Sequence, residues 1–273
     1  MTLSARRSLV LLARKYDALI ITDDVYDFLQ WSINSTTTMP TPPSSLTTAL
    51  LPRLIDIDRA LPPSPSGSSF GNAVSNGSFS KITGPGVRTG WADASPAFSY
   101  GLSQCGASRS GGAPSQMTAT IVDALVRSGD LDAHIEGVLK PAYQRRHGVL
   151  VRAIRRWLLS LGVRMREGTL VGSEVFGGYF VWVDLPPGVD AEVVSERCKE
   201  RQNLVVAPGR IFEVRGDERV KFDGSLRLCF AWEGVGELEE GVERLGRVIR
   251  DVVEGKGAEG IGKVTKEDFG EFK

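Results

Sequence analysis

The chain is poor in the residues that build metal and disulfide sites. It has two histidines and three cysteines in 273 residues. Cys105, Cys198 and Cys229 are odd in number, widely spaced and without a C-x-x-C pair, so they point to neither a disulfide framework nor a zinc site. His134 and His147 are too isolated to read as metal ligands and are expected on helix faces. No apolar run approaches the roughly 20 residues that a membrane-crossing helix needs, and the start of the chain lacks the apolar core of a signal peptide. Lysine plus arginine balance aspartate plus glutamate at 33 each, which gives no electrostatic reason to expect nucleic acid or a membrane surface as partner. The length allows one large domain or two modest ones, and the cytosol is the expected location.

What the chain does have is concentrated chemistry. Ser78-Phe79-Ser80-Lys81 is followed by Gly84-Pro85-Gly86-Val87-Arg88-Thr89-Gly90-Trp91. A lysine amine can form a Schiff base with an aldehyde cofactor, while hydroxyls, backbone N–H groups and a guanidinium can hold that cofactor's phosphate. The same composition also suits a solvated surface loop. Upstream, Tyr16 to Thr22 is a short, β-branched apolar run that reads as a buried parallel strand. It delivers Asp23, Asp24 and Tyr26 to the strand's carboxyl end, where open α/β sheets place ligands. Either aspartate could instead cap the turn that follows.

Asp23-Asp24-Val25-Tyr26 and the Ser78 to Trp91 stretch together resemble the pyridoxal-phosphate enzymes of fold type I. Within them the chain resembles the class I and II aminotransferases, in the branch of 2-aminoadipate and aromatic aminotransferases. Ser225-Leu226-Arg227-Leu228-Cys229-Phe230-Ala231 resembles the strand that carries the family's substrate-carboxylate arginine. Lesser echoes are Gly111 to Ser115, Gly177 to Trp182 and Ala207-Pro208-Gly209.

The resemblance implies a role for each matched residue. Lys81 would hold pyridoxal 5'-phosphate and move the substrate's proton. Asp23, with Asp24 as the other candidate, would keep the ring nitrogen protonated, and Tyr26 would hydrogen-bond the ring's phenolic oxygen. Ser78, Ser80 and Arg88 would cradle the phosphate, and Arg227 would clamp the substrate's α-carboxylate with its planar fork. An amino acid and a 2-oxo acid would be the substrates, and a homodimer the expected assembly.

In the family, the stretch preceding this point supplies a glycine-rich turn, a ring-stacking aromatic and an asparagine before a Pro-Thr-Gly turn. Nothing here matches them, and Met1 to Arg7 resembles the sequence just after that turn. The expectation is an N-terminally truncated aminotransferase, or alternatively a catalytically impaired fragment lacking part of the cofactor site. The effector domain of an aminotransferase-like transcription regulator is a third reading; it would need a DNA-binding module or basic stripe that the chain does not display.

The fold expected is α/β. The remnant of a large cofactor-binding domain, a mostly parallel sheet with flanking helices, occupies residues 1–130; a smaller α/β domain spans 131–254, and 255–273 is a mobile tail. Residues near 32–70, rich in Ser, Thr and Pro, read as an exposed insertion with a strand or turn near Leu54 to Ile57. Helices are expected from Ser4 to Lys15, from a Ser115 cap to Val126, from Ala191 to Gln202 and from Val235 to Val253. A long amphipathic stretch from Asp130 to Leu161 should bend or break at Pro141.

Overall fold

The computed structural model describes residues 1–33, 51–63, 67, 69–111, 114–165, 169–170 and 174–256. The described strands in chain order are β1 (Ile20–Asp23), β2 (Gln30–Ile33), β3 (Ala73–Ser78), β4 (Gly90–Asp93), β5 (Arg164–Met165), β6 (Thr169–Leu170), β7 (Glu174–Gly177), β8 (Phe180–Asp184), β9 (Ala207–Pro208) and β10 (Ser225–Cys229). The chain packs as two compact units, Met1–Ala142 with Gly168–Gly178, and Tyr143–Glu167 with Tyr179–Lys273. Both mix helices with sheet, the α/β class expected.

In the first unit the helix α1 (Leu3–Lys15) starts where Thr2 Oγ1 accepts the Ala5 N–H and ends with Arg14 and Lys15 in its last turn, the end that favours cations. The chain then turns through Asp17, at φ +48°, so the strand begins at Ile20 rather than Tyr16 and ends on Asp23 itself. β1 pairs in parallel with β3, Ile20 opposite Ala73 and Asp23 opposite Asn76, and β3 pairs antiparallel with β4. Among the described strands this sheet is therefore half parallel. A second sheet of this unit runs in the order β2-β7-β6, all antiparallel.

The described residues of the stretch near 32–70 carry regular structure that its composition did not imply. β2 occupies 30–33, and Leu54 to Ile57 belong to a helix, α2 (Leu54–Ala60), not to a strand or turn. A four-residue apolar run cannot by itself distinguish the two. Two features decide for helix. The Asp56 carboxylate reaches back to the Arg53 N–H at 2.9 Å, and Leu54, Ile55, Ile57 and Asp58 bury one face. That face joins Val10 of α1 and Ala73 of β3 in a common core cluster. Arg14 ties the two helices together, donating to Asp58 Oδ1 at 2.7 Å and to the Asp58 carbonyl at 2.6 Å. Asp58, 7% exposed, also accepts the Asn72 N–H at 2.9 Å, so its charge is satisfied inside the unit. Residues 34–50, where the other prolines of the predicted insertion begin, lie outside the described set.

Helices α3 (Pro96–Ser103), α4 (Gly106–Arg109) and α5 (Gln116–Ser128) follow. Ser115 precedes α5 but sits at φ +62° and makes no side-chain capping bond, contrary to the expectation. The long amphipathic stretch is α6 (Asp130–His134), a π-helical turn over Ile135–Leu139 and α7 (Lys140–Trp157). The Lys140 N–H reaches back five residues to the Ile135 carbonyl, and Pro141 has no N–H to give. The proline thus widens one turn instead of breaking the helix.

The second unit holds the antiparallel sheet β5-β8-β10-β9. Against it lie α8 (Ala191–Gln202), capped by Asp190 on the Glu192 N–H, and α9 (Val235–Val253), which buries Leu238, Val242, Leu245 and Ile249 at helical spacing. Both match the expected bounds. His147 of α7 is buried, with its ring edge against Phe230 at 5.4 Å. Burial, aided by the Arg155 charge, pushes its imidazole down from 6.5 to about 4. Among the described residues, no helix is long and apolar enough to cross a membrane.

Between those two values the unfolded chain binds a proton that the folded chain refuses, so the His147 contribution to stability falls as pH drops from about 6.5 to about 4. The loss attributable to His147 is about 3 kcal/mol. Asp27 contributes with the opposite sign over the same range, so urea unfolding of wild type and His147→Asn side by side reads the His147 contribution: the wild type should lose that amount relative to the variant as pH falls.

Candidate active site

The carboxyl ends of β1 and β3 carry the chemistry. Their parallel register puts Asp23 beside Asn76, two residues before Ser78, although the two strands are about fifty residues apart in sequence. Past Asp23 the chain makes a tight turn in which the Asp27 N–H donates to the Asp24 carbonyl at 3.2 Å and the Leu29 N–H to the Tyr26 carbonyl at 2.9 Å. The two aspartates are not equivalent. Asp24 Oδ2 accepts from the hydroxyls of Thr22 and Ser75, the latter at 2.6 Å, and its N–H donates to the Asn76 carbonyl. Asp24 therefore stitches β1 to β3, while Asp23 is exposed at the strand end.

Beyond β3 the backbone tightens into a 3₁₀ turn over Phe79–Lys81. Ser78 caps it: its Oγ accepts the Ser80 N–H at 3.1 Å and donates to Ser80 Oγ at 3.0 Å. Gly84, at φ +143°, and a second 3₁₀ turn over Pro85–Val87 fold the chain back, and the Phe79 N–H donates to the Thr89 carbonyl at 3.1 Å. The return brings Arg88 Nη1 to 3.3 Å from Ser80 Oγ and 3.1 Å from the Pro85 carbonyl. Arg88 holds a left-handed φ of +48°, costly for a residue with a Cβ and a feature that clusters at ligand-binding turns. Two hydroxyls and one guanidinium are thus collected on one short loop.

Lys81 closes that loop and faces the β1 turn, with Nζ 5.8 Å from the centre of the Tyr26 ring. Tyr26 in turn lies over Gly178, which holds φ +72° and donates its N–H to the Leu29 carbonyl. Asp23, Asp24, Tyr26 and Asp27 share a cleft of about 230 Å³ with Gly177 and Gly178. Asp27 escaped the motif reading, although it stands directly after Tyr26. Burial first, then the Asp24 charge, push its carboxyl up to about 7, against the opposing pull of Arg53 and Arg6.

Aromatic packing supports the lysine turn from below. Trp91 stands opposite Gly77 in the β3–β4 register, 4.7 Å from the Phe79 ring and 5.6 Å from that of Phe28. A Cβ on Gly77 would fall 2.1 Å from the indole, so only glycine lets it cross the strand.

Arg227 belongs to the second unit, on β10. Its guanidinium carbon lies over the rings of Phe180 and Phe212, at 4.0 and 4.1 Å from their centres. Two aromatic rings against it hold the guanidinium by cation–π attraction. Of the lesser echoes, Gly112 and Ala113 lie outside the described residues.

Comparison with known proteins identifies the family. The family model "aminotransferase class I and II" matches residues 1–245. The chain belongs to that family. An uncharacterized Saccharomyces cerevisiae protein, YER152C, is 37% identical over 253 residues, covering 91% of this chain and 52% of its own. Aromatic-amino-acid aminotransferase 1 of Thermococcus litoralis is 25% identical over 246 residues, covering 90% and 49% respectively. Among solved structures, the α-aminoadipate aminotransferase LysN of Thermus thermophilus, complexed with N-(5'-phosphopyridoxyl)-L-leucine, is 25% identical with a TM-score of 0.68, over 92% of this chain and 55% of that one. The chain spans about half the length of the curated relatives it matches.

Gly77→Ala should displace Trp91 and destabilise the fold by about 1–3 kcal/mol, the usual cost of overpacking. Chemical unfolding measures the loss, and altered indole fluorescence should accompany it.

Proposed function

We propose that this chain transfers an amino group from an amino acid to a 2-oxo acid, with pyridoxal 5'-phosphate held covalently through the Lys81 amine. The observation that carries the reading is the juxtaposition of a primary amine with a prebuilt anion cradle: Ser78, Ser80 and Arg88 are bonded to one another on the loop that Lys81 closes. That donor set fits a phosphate-bearing aldehyde, because the hydroxyls and guanidinium suit the phosphate and the amine suits the carbonyl. When bound, the cofactor supplies an electron sink for the charge left at the substrate's Cα.

The chain's own residues do the rest. Asp23, exposed where Asp24 is bonded inward, is the carboxylate to hold a proton on the ring nitrogen. Tyr26, which lines the same cleft, would donate its phenolic hydrogen bond to the ring's oxygen. Once its amine is free, Lys81 takes the proton from the substrate's Cα and acts as the general base. Arg227 grips the α-carboxylate with two parallel hydrogen bonds, which favours retention of that group over its loss as carbon dioxide. Relatives named for aromatic amino acids and for 2-aminoadipate make these the first donors to test. A homodimer is the assembly that accompanies this reading.

The test is to mix the purified chain with pyridoxal 5'-phosphate, reduce with borohydride and map the modified lysine by mass spectrometry. Labelling confined to Lys81, and abolished by Lys81→Ala, is the expected result; scattered or absent labelling would leave a chain that is an aminotransferase by descent but impaired in its chemistry. Arg227→Ala should keep the label while weakening amino-acid binding roughly ten- to hundredfold, the ~1.5–3 kcal/mol of a hydrogen bond to a charged group. Isothermal titration or the amino-acid dependence of the visible band reads that effect.

A further inference from the structure

Arg53 lies in none of the motifs above, yet three carboxylates from three parts of the first unit converge on it. Its Nε and Nη2 donate to the two oxygens of Asp56 on α2, at 3.0 and 2.9 Å. Nη2 also donates to Asp93 Oδ2, at the end of β4, at 2.7 Å. Nε stands 3.7 Å from Asp27 Oδ2. A fourth carboxylate is reached indirectly: Nη1 lies 3.5 Å from Ser75 Oγ, which donates to Asp24. The side chain is only 17% exposed, so these attractions act with less solvent screening than at the surface. Burial alone would lower the guanidinium's pKa, but Asp56 and Asp93 more than offset it.

The placement of these partners is informative. Asp24 directly follows Asp23, and Asp27 directly follows Tyr26. Each residue assigned to the cofactor's ring thus has a neighbour tied to Arg53. Asp56 and Asp93, by contrast, sit on a helix and on a strand that pack against β3, and Arg59 also donates to Asp93 Oδ2, at 3.2 Å. One end of the network is anchored and the other is the turn.

We propose that Arg53 is a positioning residue, which orients Asp23 and Tyr26 by attracting the Asp27 carboxylate across 3.7 Å and by reaching Asp24 through Ser75. The role rests on the assignment of Asp23 and Tyr26 made under Proposed function. Four charged groups face Asp27: Asp24 on its own turn, Arg53 and Asp56 from α2, and Arg6 from α1. The grip is strongest when Asp27 is ionised, so the setting of Tyr26 changes with pH around neutrality.

The full chain, without added cofactor, is titrated by NMR, following the Asp27 carboxyl carbon and the Tyr26 ring. In the wild type the Tyr26 resonances should move with the Asp27 titration, and Asp27→Asn should abolish that movement. Arg53→Gln removes a cation and should raise the Asp27 midpoint by about one pH unit and uncouple Tyr26; Arg53→Lys should restore part of both. Affinity for pyridoxal 5'-phosphate should fall about tenfold in Arg53→Gln with Lys81 still the labelled residue. An unchanged Asp27 midpoint and Tyr26 spectrum in Arg53→Gln would overturn the role. Should that variant not fold, a Tyr26 ring indifferent to Asp27 titration in the wild type would overturn it equally. Failure of Lys81 labelling in the wild type, with the Asp27–Tyr26 coupling intact, would instead remove the functional reading and leave the positioning network standing.

Discussion

The parallel ladder between β1 and β3 is the contact on which the candidate site depends. Four register pairs hold two segments separated by about fifty residues, and both strands end at the same edge. From one end issues the turn with Asp23 and Tyr26, from the other the turn with Ser78, Ser80 and Lys81. A one-residue slip would invert the alternation of β1, turning Ile20 away from the Val10 and Ala73 core and moving Asp24 away from Ser75. Parallel strands lack a short hairpin to set their register, so it must come from side chains. Here the Asp24, Thr22 and Ser75 bonds and the apolar packing of α1 and α2 supply it.

The polar interior of the first unit is organised around arginine. Arg14 satisfies Asp58 between α1 and α2, and Arg53 gathers Asp56, Asp93 and Asp27. Buried carboxylates without such partners would be strongly destabilising or would remain protonated. Asp27 shows the boundary case, with one cation at 3.7 Å and the Asp24 carboxylate close by. In the second unit the comparable device is aromatic, since the Arg227 guanidinium lies over two phenylalanine rings. Guanidinium suits both roles because it is planar, carries several donors and is less strongly hydrated than ammonium.

Legibility from the sequence followed the length and regularity of each pattern. α8 and α9, with caps or repeated apolar spacing, were readable end to end. The run at Leu54 to Ile57 was not, because four apolar residues satisfy strand and helix alike and the Asp56 back-bond that decides is a single contact. Ser115 looked like a cap by residue type, but its backbone occupies the left-handed region. At the site, the clustering of Ser78, Ser80, Lys81 and Arg88 was visible as local spacing, whereas Arg53 and Asp27 belong to no local pattern and are joined only through space.

By itself the sequence determined the chemical vocabulary: a lysine among hydroxyls and glycines, a doublet of aspartates after a β-branched run, and an arginine inside an apolar strand. Those are covalent facts and local propensities, which need no folded context. Tertiary structure alone decided which aspartate is bonded inward, that Arg88 returns to Ser80, and that one arginine from an apparently featureless segment grips the turn beside Tyr26. Such choices depend on desolvation and on which groups lie within hydrogen-bonding distance, and both exist only after the β1–β3 ladder and its helices have packed.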